Sequence, residues 1–302
     1  MKIVDPATVG VVTDDHPTGA LGMRHLSQGR AGTPDNFMMV LAENLGHFQM
    51  VQHRHNFDQF RFCIRGDMNM GPHRTLREGH LGYFPEGASY GPQDDPAGPL
   101  ALVVQFGGAS GYGYMNMEQY RAGRAALNKS GRFEGPVYIR ELGDGRVKKT
   151  FSINAIWEAA LGEKLLLPAP RYDEPIFMNP RAYRSVPVKG HAGVARKLLG
   201  LFSERETMAE MWSLRPGAKY AFAARSAIRL LFVLEGGGKA GPAPLGQHFA
   251  IHLDPSEMIE IAAESEMTLL SFTLPLITDE EWTMPQEGAV EPIPNESVAE
   301  AA

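Results

Sequence analysis

Two distant segments carry the same apolar pattern and close on the same residue: Gln59-Phe60-Arg61-Phe62-Cys63-Ile64-Arg65-Gly66 and Arg229-Leu230-Leu231-Phe232-Val233-Leu234-Glu235-Gly236. A repeat of this kind limits the chain to architectures that build one supersecondary unit twice. Short apolar runs surround the first copy, at 37–41, 81–84 and 100–106, and 268–275 follows the second. Gly71-Pro72, Pro85-Glu86-Gly87 and Asp94-Asp95-Pro96 punctuate them, and 33 Gly with 22 Pro favour turns over long helices. Short strands with frequent turns predict an all-β chain of barrels or sandwiches.

Between the copies the pattern changes. Residues 117–127 read as a helix ending near Gly131, and 153–161 as a second stopped by Gly162. Pro168, Pro170, Pro175 and Pro180 then mark an extended connector. The division expected is an N-terminal unit with its arm over 1–110, a helical and extended connector over 111–190, a C-terminal unit over 191–285, and a disordered acidic tail over 286–302.

Composition narrows the function. With 43% apolar and 21% charged residues among 302, the chain reads as globular. A net charge of −6 without a basic stripe argues against nucleic acid. No apolar run is long enough to span a bilayer, the first residues lack a signal-peptide pattern, and the lone Cys63 cannot pair internally. A cytoplasmic protein with a buried, inert thiol is expected.

The chemistry concentrates at His53-Arg54-His55. On a strand, positions i and i+2 share a face, so both imidazoles enter one volume, as a metal site or polar pocket requires. Six residues separate Gln59 from Gly66, and Gly79, Pro85, Gly87 and Tyr90 follow at regular spacing.

These segments resemble the cupin patterns H-x-H-x3-E-x6-G and G-x5-P-x-G-x2-H, with Gln59 in place of Glu and Tyr90 in place of His. The opening glycine departs by one, since six residues rather than five separate Gly46 from His53. In the second copy Gly217 holds the opening position, while Ala223, Arg225, Arg229 and Met267 fall where ligands would stand. The chain is thus similar to a bicupin: two antiparallel jelly-roll barrels over about 36–107 and 198–277, the second without metal ligands. The resemblance implies a divalent metal, iron favoured with zinc, nickel or manganese as alternatives, held by His53, His55, Gln59 and Tyr90. Were a bulge to turn Asp58 inward, His53, His55 and Asp58 would form a two-His-one-carboxylate face. His80 is a further residue that could reach the site, and Arg61, on the Gln59 face, could clamp a substrate carboxylate.

The function expected is a metal-dependent enzyme acting on a small enolate, phenolate or carboxylate, with Tyr90 as ligand or general base. Family frequency favours a ring- or C–C-cleaving dioxygenase. A lyase or isomerase using the metal as Lewis acid, and a metal-free binding protein, are the alternatives. The resemblance also implies possible homodimerisation.

Overall fold

The computed structural model describes residues 1–16, 19–135, 137–143, 145–283 and 290–292. Two seven-stranded antiparallel sheets dominate it. The first runs in spatial order Ile176–Met178, Leu81–Phe84, Phe57–Arg65, Leu100–Gly107, Phe37–Asn44, Gly19–Gln28 and Val12–His16. Two short hairpin-like pairs, Phe48–Met50 with Gln93–Asp95 and Met68–Gly71 with Arg74–Leu76, complete its unit. The second sheet runs Lys2–Val4, Ala250–Leu253, Arg229–Glu235, Met267–Thr273, Met208–Leu214, Val194–Leu201 and Val186–Pro187, accompanied by a four-stranded sheet built on Lys219–Phe222 and Ile259–Ala263.

The repeat read from the sequence is the structural repeat. Phe57–Arg65 lies between Leu81–Phe84 and Leu100–Gly107, and Arg229–Glu235 lies in the same way between Ala250–Leu253 and Met267–Thr273. Gly66 and Gly236 end their strands at φ 71° and 77°, in the left-handed region that a Cβ disfavours.

Strand alternation sorts the side chains. In Phe57–Arg65, Phe60 and Phe62 face the other unit, where they join Phe202, Leu230, Phe232 and Phe272 in one shared core. Cys63 faces inward with Phe84 and Tyr90. Both faces of the strand are therefore covered, which explains an apolar run interrupted only where the interior needs polar groups. Cys63 is wholly buried, and burial pushes its thiol up to about 12, so it stays protonated at neutral pH.

The division at residue 110 is crossed in both directions. Lys2–Val4 pairs with Ala250–Leu253 of the second unit, and Ile176–Met178, from the connector, extends the first sheet. Each unit is closed by a strand from elsewhere in the chain. The predicted helices are present as Met117–Leu127 and Ser152–Leu161. They meet at Gly123, where a Cβ would stand 2.7 Å from Ile156 O. Between them Arg132–Glu134, Val137–Glu141 and Val147–Phe151 form a meander. Most of the predicted tail lies outside the described residues; Val290–Pro292 pairs with Leu166–Pro168. Among the described residues, no helix is long and apolar enough to cross a membrane.

Candidate functional site

His53 and Tyr90 are joined by a two-way backbone bridge, His53 N to Tyr90 O and Tyr90 N to His53 O, each 3.0 Å. Three residues before Tyr90, Gly87 N donates to His55 O at 2.7 Å. The Pro85-Glu86-Gly87 turn is thus clamped to the His-x-His segment, and Tyr90 follows the turn into the barrel.

The tyrosine hydroxyl is the hub. His55 Nε2 lies 2.9 Å from Tyr90 Oη, Arg61 Nη2 donates to it at 3.0 Å, and Gln59 Nε2 faces it at 3.5 Å. Arg61 can only donate, so the phenol proton is directed at His55 Nε2. Burial above all, then the charges of His53 and Arg61, hold the His55 imidazole well below the ordinary histidine range, and the ring is neutral. His53 Nδ1 lies 2.8 Å from Val51 O. A carbonyl only accepts, so Nδ1 carries the proton and a neutral ring keeps its lone pair on Nε2. The two imidazoles meet edge to face at 4.8 Å, and His55 stacks on Phe57 at 4.3 Å.

A chain of hydrogen bonds backs the hub: Tyr114 Oη to Gln105 Oε1 at 3.1 Å, Gln105 Nε2 to Gln59 Oε1 at 2.8 Å, then Gln59 Nε2 toward Tyr90. In this polarity Gln59 turns its amide nitrogen, not its oxygen, to the site.

A cavity of about 1050 Å³ opens in front of these groups. His53, His55 and Gln105 contribute from the barrel, while Met117, Phe133 and Trp157 close it from the connector. The connector is therefore a wall of the site. Gln59, Arg61 and Tyr90 are not among its lining residues and stand behind the histidines. Arg61, expected to clamp substrate, is instead turned onto Tyr90 Oη and lies over the Phe84 ring at 5.0 Å.

Asp58 does not join the histidines. It is wholly buried on the opposite strand face, where it accepts from Tyr83 Oη and Glu86 N, both at 2.8 Å. No bulge interrupts the ladder at that point, so the parity that puts Gln59 inward puts Asp58 outward. His80 is likewise outside the cavity lining; its carbonyl accepts from Cys63 N at 3.0 Å. Among the described residues, no three His, Cys, Asp or Glu side chains are placed to share a metal. Sequence reasoning missed Gln105 and Tyr114. Gln105, one polar residue in an apolar strand, carried a signal; Tyr114, just after a glycine-rich turn, carried none.

No family model and no curated protein matches the sequence. Solved structures do match in shape. A proposed dioxygenase from Nostoc punctiforme aligns with a TM-score of 0.60 at 11% identity, over 96% of this chain and 86% of that one. Streptomyces albus HEPD, solved with Fe(II) and 2-hydroxyethylphosphonate, aligns at 0.56 and 12% identity, over 95% and 79%. Oxalate decarboxylase from Bacillus subtilis aligns at 0.50 and 11%, over 94% and 80%. Identity this low speaks to the fold alone, and the fold agrees with the repeat, the sheet order and the paired barrels: the chain is a two-barrel protein of the cupin fold.

Proposed function

We propose that the first barrel is a metal-dependent enzyme site for a small oxygen-bearing organic molecule with an apolar body. One observation carries the reading: His55 Nε2 and Tyr90 Oη stand 2.9 Å apart beside a cavity, next to a second imidazole oriented through Val51 O. An imidazole nitrogen and a phenol oxygen are both donor types that would hold a first-row divalent ion. A histidine fixed through Nδ1 to a carbonyl is the usual support for a metal ligand. The donor set of His53, His55 and Tyr90 thus fits a divalent ion, iron favoured, with zinc, nickel or manganese as alternatives. Such an ion supplies Lewis acidity toward the substrate's oxygens and, if it is iron, a place for dioxygen.

The chain's own residues do the rest. In the metal-free site Tyr90 Oη donates its proton to His55 Nε2, and coordination to a bound ion would replace that hydrogen bond. Arg61 donates to the same oxygen and fixes its position. Met117, Phe133 and Trp157 exclude water and select a substrate with an apolar face. The reaction proposed is oxidative C–C or ring cleavage, with isomerisation or elimination as the alternative chemistry. The test is dioxygen uptake by iron-loaded protein with a panel of phenolates, enolates and keto acids. Uptake lost in Tyr90→Phe supports the oxygenase; turnover without dioxygen moves the assignment to lyase or isomerase.

A second reading rests on Arg61. Its guanidinium stands 3.0 Å from Tyr90 Oη and, among the described residues, makes no ion pair with a carboxylate, so fixed positive charge already occupies the neighbourhood of a cation. A metal-free barrel in which His55, Tyr90 and Arg61 bind an organic anion fits that charge. Metal content separates the two.

A further inference from the structure

The second barrel contains a polar cluster that neither its fold nor the first site uses. Arg229 shares a strand face with Leu231 and Val233, Glu210 with Trp212 and Leu214, and Thr273 and Ser271 with Leu269 and Met267. The apolar members of these rows form the interior of the second barrel, so the polar ones point into its mouth. Register brings them together. Thr273 lies opposite Arg229, and Ser271 lies between Glu210 and Leu231. Directly opposed residues on one face stand about 4.5–5.5 Å apart. The ladder also shows what Arg229 replaces. Gln59 pairs with Gln105 in the first barrel, and Arg229 pairs with Thr273 in the second.

Four polar atoms in this cluster are buried and, among the described residues, have no hydrogen-bond partner: Arg229 Nε, Trp212 Nε1, Ser271 Oγ and Thr273 Oγ1. Their residues are only 6%, 4%, 1% and 2% exposed. Arg229 donates once, from Nη1 to Ala223 O at 3.2 Å, and lies over the Phe222 ring at 5.8 Å. Among the described residues no carboxylate is within ion-pair reach of it; Glu210 pairs with Arg196 at 3.2 Å. Burial first, and Arg225 next, pull the Arg229 guanidinium down to about 10, with Glu210 and Tyr220 opposing, and it remains a cation at neutral pH.

A buried guanidinium with no carboxylate in direct contact is unfavourable, and Glu210, which opposes its charge, is itself paired with Arg196. An indole N–H and a guanidinium N–H can only donate, and each hydroxyl can donate as well. A guanidinium with three further donors beside it calls for a guest rich in acceptors and negative in charge, and the near-complete burial of all four residues favours a small one. We propose that the mouth of the second barrel binds a small oxyanion, a carboxylate or a phosphate, between Arg229, Ser271, Thr273 and Trp212. The second barrel is then a binding site as well as a structural partner. This inference stands independently of any metal in the first barrel.

The test is calorimetric titration of the full-length protein with sodium phosphate and with sodium acetate at constant ionic strength. Because Arg229→Met could unfold the barrel, the comparison uses the near-isosteric Thr273→Val and Ser271→Ala, with His53→Ala as a first-barrel control. Saturable binding of either anion is expected, weakened about tenfold in each hydroxyl variant and unchanged in His53→Ala; whichever anion binds more tightly names the class. The proposal is overturned if neither anion binds saturably. It is overturned equally if binding disappears in His53→Ala while Thr273→Val and Ser271→Ala leave it intact, since the anion then sits in the first barrel.

Discussion

Gly79 and Gly87 offer a matched pair that isolates how the connector is seated on the first barrel. Their backbones are almost identical, at φ 76° and 78°. An alanine at either position meets the same left-handed penalty, about 1–2 kcal/mol. Their surroundings differ. Nothing lies within 4 Å of a Cβ at Gly79, whereas a Cβ at Gly87 would overlap Pro168 O and stand 3.0 Å from Pro170 N. Both obstacles are backbone of the connector, which must move bodily to make room. Overpacking of this kind costs about 1–3 kcal/mol. Displacing the turn also loosens the Gly87 N to His55 O bond, adding about 1 kcal/mol. Gly79→Ala is therefore expected to lose about 1–2 kcal/mol and Gly87→Ala about 3–6 kcal/mol in urea-unfolding experiments. The difference between them measures the contact between turn and connector. Equal losses would refute the seating of Pro168 over the turn, and with it the connector as a wall of the cavity.

Other consequences follow from the shared core and the buried carboxylates. Phe60 is fully buried among Tyr83, Phe106, Phe202 and Phe272, with ring separations of 5.0–5.5 Å. Phe60→Ala is expected to cost about 3–5 kcal/mol of unfolding free energy, and a loss under 1 kcal/mol would mean the barrels do not depend on that face. Burial, then the charge of Glu86, pushes Asp58 up to about 7 from an ordinary 3.8. A carboxyl raised in the folded state adds stability at low pH that disappears as pH rises from about 4 through 7. Asp58→Asn should flatten that decline when unfolding free energies at pH 5 and pH 8 are compared; an unchanged slope would assign the decline to another group.

The sequence carried the fold because a two-residue period and a closing glycine survive in both copies. Parity alone placed Gln59, Arg61 and Cys63 inward, and the same parity, read consistently, excluded Asp58. Three things lay beyond it. Lys2–Val4 pairs with a strand formed by residues 250–253, and no local pattern announces so distant a partner. Arg61 chooses Tyr90 and Phe84 rather than the cavity, which depends on side-chain packing around a residue 29 positions away in the chain. Arg229 was legible as a lost metal ligand, but its unpaired donors appear only once the ladder sets Thr273 opposite it.

The metal assignment is the central claim, and elemental mass spectrometry tests it most directly. The protein would be purified without an affinity tag or chelator, alongside a His53→Ala/His55→Ala variant. Near-stoichiometric metal in the wild type, lost in the variant, is the result predicted, and iron would favour the oxygenase chemistry. Trace metal at the same level in both proteins would contradict the claim and leave the first barrel as a metal-free anion-binding site built on Arg61, His55 and Tyr90.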